Sequence, residues 1–114
     1  MRKIVNLTKS KDGIVRLMIF NDDYGTYLFG YKKNEDCGAE WDEWYESEND
    51  AMESVLTKYG VKKLEWNEIP NPEPHCQHDW INPVRIKGRE NGQPEFGKLE
   101  KLVNGKWTKF EPNE

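Results

Sequence analysis

The chain has 114 residues, of which 35% are hydrophobic and 33% charged, with a formal net charge of −4. That length fits one domain, residues 1–114, and the acidic balance speaks against a dedicated nucleic-acid module. So polar a composition would suit disorder, but five Trp, five Tyr and four Phe supply a core of few, large side chains.

In chain order, Lys3 to Leu7 is a short β-like run, and Asp12-Gly13 is a tight hairpin signal. Ile14 to Phe20 is β-branched, apolar and flanked by turns, which predicts a central strand. After the Asn21-Asp22-Asp23 turn, Tyr24 to Lys33 alternates, with Tyr27, Phe29 and Tyr31 on one face and Thr26, Leu28, Gly30 and Lys32 on the other. These three strands form an antiparallel meander. Asn34 to Tyr45 reads as an acidic, irregular loop interrupted by Trp41, Trp44 and Tyr45.

Ser47 to Tyr59 predicts a helix. Ser47 is a suitable N-cap, Asp50 stands three residues on, and Gly60 suits a left-handed stop. Ala51, Met52, Val55, Leu56 and Tyr59 make an apolar stripe at helical spacing that faces the sheet. Leu64 to Ile69 alternates as a short strand. Pro70, Pro72 and Pro74 make the next segment extended and stiff. Val84 to Arg89, Phe96 to Val103 and Lys106 to Phe110 then read as three strands, joined by Asn91-Gly92 and Asn104-Gly105 hairpins. Gly97 suggests a bulge, and Glu111 to Glu114 is a polar tail. The expected fold is α+β: a mostly antiparallel sheet of about five to seven strands with one helix on one face.

Charge is unevenly spread. Residues 34–57 hold nine carboxylates and no Lys or Arg, while residues 1–33 and 84–110 each carry seven basic and three acidic side chains. The flanks can neutralise the middle within the fold, or the middle can form a surface that steers a basic partner. In the second reading the binding residues are Glu40, Trp41, Asp42, Glu43, Trp44 and Tyr45, where charge speeds encounter and aromatics anchor it.

Two other segments carry residue types that do chemistry. His75, Cys76, His78 and Asp79, with the distant Cys37, are zinc-ligand types, and a Cys/His pair is what a nucleophilic site requires. There is no Cys-x-x-Cys pair and no second cluster at finger spacing, so a buried Cys76 and an Asp79 turn cap account for the loop more simply than a metal site. No cofactor is expected, and a small metal- or Cys/His-dependent enzyme is the alternative to a non-enzymatic binding module. Arg85, Lys87 and Arg89 lie on one strand face, with Trp80 and Trp107 available to stack on bases, but cross-strand pairing to Glu95 or Glu100 explains the stripe more simply. No run approaches the roughly 20 apolar residues that span a bilayer, and Met1 to Lys9 lacks a secretory h-region. Two cysteines make no disulfide framework, which points to the cytoplasm.

The segments Trp44-Tyr45-Glu46-Ser47 through Tyr59-Gly60, and Cys76 to Ile81 followed by Pro83 to Arg89, resemble a family of small uncharacterised bacterial proteins. The resemblance spans most of the chain from Tyr24 onward and implies no established activity. Some small acidic α+β proteins of similar appearance are immunity proteins of polymorphic toxins, which implies a protein partner.

Overall fold

The computed structural model describes residues 1–111; of the expected polar tail, residues 112–114 lie outside the described residues. The chain forms two compact units, Met1–Asn71 and the chain from Pro72 onward. Both are built from antiparallel sheet, and one α-helix packs on the first, so the fold is α+β and mostly sheet.

The first unit contains β1 (Arg2–Lys11), β2 (Ile14–Asn21), β3 (Thr26–Tyr31), β4 (Trp41–Tyr45), α1 (Glu48–Tyr59) and β5 (Asn67–Ile69), in sheet order β4-β3-β2-β1-β5. Asp12 and Gly13 both take positive φ, 53° and 82°, the left-handed pair that a two-residue hairpin needs, and Lys11 pairs with Ile14 across it. At the next turn Asp22 Oδ1 accepts the backbone N–H groups of Tyr24 and Gly25.

Register then decides the faces. Val5 opposes Leu17, Ile19 opposes Leu28, and these four close a core with Ala51, Met52 and Val55 of α1 and with Val61 and Trp66. The other face carries Met18, Phe20, Phe29 and Tyr31, all buried. The alternation expected across β3 is therefore present.

The ends of α1 follow from its sequence. Ser47 Oγ accepts the Asp50 N–H, and Glu48 pairs with Lys3 at 2.6 Å. Gly60, at φ 71°, donates its N–H to the Leu56 carbonyl. One expectation fails on the apolar stripe. Leu56 is 50% exposed, because it stands at the margin of the arc centred on Val55 and Tyr59. Beyond the helix, the expected strand over 64–69 shortens to β5. A 3-10 turn at Lys63–Glu65 takes its first half and leaves Leu64 97% exposed.

The second unit contains β6 (Val84–Ile86), β7 (Leu99–Val103) and β8 (Lys106–Phe110), in the order β6-β7-β8. Asn104 and Gly105, at φ 50° and 79°, form the expected hairpin turn. The other expected hairpin does not form. Asn91 belongs to a 3-10 turn, Arg89–Asn91, and the Gly88 carbonyl accepts the N–H groups of both Asn91 and Gln93. Gly88, at φ 83°, has no room for a Cβ against the Gln93 carbonyl. This compact loop ends β6 early and delays β7 to Leu99, so Phe96 is 80% exposed. Gly97 is no bulge; at φ 89° it stands in a turn closed by Lys98 N–H to the Glu95 carbonyl. Among the described residues eight strands thus form sheets of five and three where the sequence suggested one of five to seven.

The strand β4 corrects the expected acidic loop. Its residues pair with β3 from Thr26↔Tyr45 to Gly30↔Trp41. A Cβ on Gly30 would overlap the Trp41 ring, so the indole lies directly on that glycine. Gly30→Ala is expected to cost about 1–3 kcal/mol through overpacking. The expected signature is a lower midpoint in chemical denaturation, partly restored by adding Trp41→Leu. A Gly30→Ala variant as stable as wild type would show that the indole moves aside freely.

Candidate partner-binding edge

β4 is an edge strand of the five-stranded sheet, so among the described residues one side of its backbone carries no neighbouring strand. Strand periodicity divides the six residues expected to bind. Trp41, Glu43 and Tyr45 point to the α1 side with their partners Gly30, Leu28 and Thr26, and Asp42 and Trp44 point to the other side with Phe29 and Tyr27. Glu40, just before the strand, donates its N–H to the Gly30 carbonyl.

The α1 side is largely occupied by the fold itself. Trp41 and Tyr45 pack against the core. The Tyr45 hydroxyl lies 3.0 Å from Glu43 Oε2, to which it donates, and 2.9 Å from Ser54 Oγ, from which it accepts. Lys58 approaches Glu43 at 3.9 Å, and Lys32 approaches Glu40 at 3.5 Å. Of the six residues, Asp42 and Trp44 face outward with no such compensation. Asp42 makes no ion pair among the described residues, and Trp44 is 53% exposed. Its ring lies over Gly25, where a Cβ would fall 2.5 Å from the indole. One face of the indole is therefore covered.

Four residues that the sequence did not single out join this edge. Lys11, Asp12, Lys58 and Tyr59 line a cleft of about 390 Å³ with Ile14, Trp41, Asp42 and Glu43. The hairpin tip and the last turn of α1 bring them there. Lys11 Nζ donates to the Lys58 carbonyl, near the negative end of the helix dipole, and lies 5.7 Å from the Tyr59 ring centre. The Asp12-Gly13 turn and the Gly60 stop were legible; their meeting with β4 depends on tertiary packing. Burial raises the Tyr59 phenol, helped by Glu43, Asp12 and Tyr45, and burial likewise raises Tyr45. At neutral pH both phenols stay protonated, and that of Tyr59 is a hydrogen-bonding group in the wall of the cleft.

The segment 75–79 has a different geometry. Pro74 and His75 form a turn closed by Cys76 N–H to the Glu73 carbonyl. Pro at its second position and φ 66° at His75 match a type II turn. His75 and His78 are exposed while Cys76 is buried. Among the described residues, no group of three or more His, Cys, Asp or Glu side chains is placed to hold a metal ion, so the set Cys37, His75, Cys76, His78 and Asp79 does not assemble. The Cys37 thiol is pushed up by burial and by Glu35, which disfavours the reactive thiolate.

Of the basic stripe Arg85, Lys87 and Arg89, Arg85 is spent on internal pairing, while Lys87 and Arg89 are exposed. Arg85 stands over Trp107 at 3.8 Å from the ring centre and pairs with Glu100 at 3.3 Å and Glu90 at 3.5 Å. Trp80 meets Phe110 edge-on at 5.3 Å. Both tryptophans proposed to stack on bases are engaged by their own unit.

Among the described residues no helix is long and apolar enough to cross a membrane. No protein-family model, curated protein or solved structure matches the chain.

The raised phenols give a pH dependence of known sign. A group whose folded pKa exceeds its unfolded value contributes stability that is fully present below the unfolded pKa, about 10 for Tyr, and lost as pH rises through the folded value. Stability should therefore decline from about pH 10 upward. The double variant Tyr45→Phe/Tyr59→Phe should flatten that decline in alkaline thermal melts. An identical alkaline decline in the variant would show that other groups control it.

Proposed function

We propose that the protein is a non-enzymatic binding module that covers a basic region of a partner protein with the β4 edge, in the manner of an immunity-type inhibitor. The observation that carries this reading is the outward pair on β4, Asp42 exposed and Trp44 half-exposed, at an edge strand. An aromatic anchor beside an uncompensated carboxylate is a combination suited to protein recognition. Four further acids in or around the block, Asp23, Glu46, Asp50 and Glu53, are exposed and make no ion pair among the described residues. They would add long-range attraction for a basic surface. The mechanism is occlusion: the partner's functional surface is covered, and no bond is made or broken. The free cysteines Cys37 and Cys76 fit work in the cytoplasm.

The test uses the full chain as bait. Wild type should retain a partner at an ionic strength of about 0.05 M and release most of it at about 0.5 M, where screening is strong. A folded Asp42→Asn/Trp44→Ala variant should lose about ten-fold or more in affinity for that purified partner, the scale of one interface hot spot. Undiminished binding by the variant, or binding indifferent to salt, would overturn the proposal.

A further inference from the structure

The partner's chemistry can be narrowed from the same strand, on the premise that β4 is the binding surface. As an edge strand, β4 leaves one side of its backbone available to pair with another strand, the arrangement in which an extended peptide adds to a sheet. Asp42 and Trp44 are two residues apart on one face, a spacing of about 7 Å in a strand. The indole face turned away from Gly25 belongs to a side chain that remains 53% exposed. The ring leans along the strand toward Gly25, away from Asp42, so a long side chain of a strand laid along β4 would have to reach from the ring back toward the Asp42 carboxylate.

The second unit contains the same three groups already assembled. Arg85 on β6 stands opposite Glu100 on β7, pairs with it at 3.3 Å, and lays its guanidinium 3.8 Å from the centre of the Trp107 ring on β8. Arginine suits this because its planar guanidinium stacks on an indole while its edge donates to a carboxylate. Lysine offers a compact, strongly hydrated charge that stacks less well. On β4 the ring and the carboxylate are present, and no Lys or Arg lies within residues 34–57.

Charge also disfavours the simplest alternative occupant. A second copy paired edge to edge through β4 would bring the uncompensated Asp42 carboxylates of both chains into one short ladder, and like charges near each other across a ladder are destabilising. The acids that discourage self-pairing favour a cationic strand.

We propose that β4 accepts an extended, arginine-bearing segment of a partner protein as an added antiparallel or parallel strand, with one guanidinium laid on Trp44 and paired to Asp42. Strand addition supplies the backbone hydrogen bonds, and the Trp44/Asp42 pair selects arginine. The occupant is a peptide segment of a protein, since the backbone ladder requires peptide groups on both sides.

The test titrates the full chain with a short synthetic peptide alternating Arg and Thr, with Lys-for-Arg and Glu-for-Arg versions as comparisons. The expected result is slower amide hydrogen exchange in residues 41–45 and a shifted Trp44 indole N–H resonance with the Arg peptide. The Lys peptide should bind about three-fold or more weakly, and the Glu peptide should not bind. Trp44→Ala should weaken the Arg peptide about three- to ten-fold, with Trp44→Phe retaining part of the affinity. Equal binding of the Arg and Lys peptides without protection of β4 amides would overturn strand addition and leave only diffuse charge attraction. If that result accompanies loss of the captured partner by Asp42→Asn/Trp44→Ala, strand addition falls and the binding-module reading stands. If the double variant keeps the partner, the binding-module reading falls whatever the peptide does.

Discussion

Two tryptophans lying on two glycines hold the edge of the larger sheet in place. Trp41 covers Gly30 on the side of the helix, and Trp44 covers Gly25 on the other. The strand that carries them is thus clamped to its neighbour from both faces. An indole lying flat against a neighbouring backbone buries a large apolar area that the missing Cβ leaves open. That contact makes a strand of a segment whose acids argue against one. The adjoining contacts depend on it too. With β4 in register, Tyr45 reaches Ser54 on the helix, Glu43 comes within range of Lys58, and the cleft by the hairpin tip acquires its outer wall.

The acidic block proves to be two populations. Glu35, Glu40, Glu43 and Glu48 stand near Lys33, Lys32, Lys58 and Lys3. Three of these pairs are well exposed, and such pairs contribute about 0–1 kcal/mol each, so they serve mainly to cancel field. Lys3–Glu48 is the better placed, being half-buried at 2.6 Å and at the start of the helix, where a carboxylate also meets the dipole. What remains uncompensated is smaller than the sequence suggested and is concentrated at Asp42 and along the start of the helix.

Local chemistry made much of the fold legible. Asp12-Gly13 and Asn104-Gly105 require backbone conformations that few other pairs adopt, and both formed hairpins. Ser47 and Gly60 bound the helix because their capping bonds are made within a few residues. The misreadings share a cause: each depended on a contact remote in sequence or on a competing local bond. β4 needed Gly25 and Gly30. Asn91-Gly92 was diverted because the Gly88 carbonyl offered a tighter set of acceptor bonds. The candidate site was legible as a stretch of residues but not as a surface. Alternation along a strand sends Trp41 and Tyr45 inward and Asp42 and Trp44 outward, and a loop reading has no alternation to apply.

Acids on an edge strand have a purely protective explanation, since charge there discourages pairing with another copy. Asp42, Glu43 and the neighbouring Glu46 suffice for that. Trp44 does not fit so simply. Its contact with Gly25 accounts for one face of the ring and fixes its orientation, yet protection of an edge gains nothing from an indole left 53% exposed. Aromatic surface of this kind favours association, and the adjacent carboxylate limits which partners can use it. Under the proposed reading, the two effects together would disfavour copies of the chain at this edge and favour a cationic strand. In the second unit one face of the Trp107 ring is already covered by Arg85. The contrast between those two tryptophans, Trp107 stacked by Arg85 and Trp44 without a stacked cation among the described residues, is what supports proposing a partner for the exposed one.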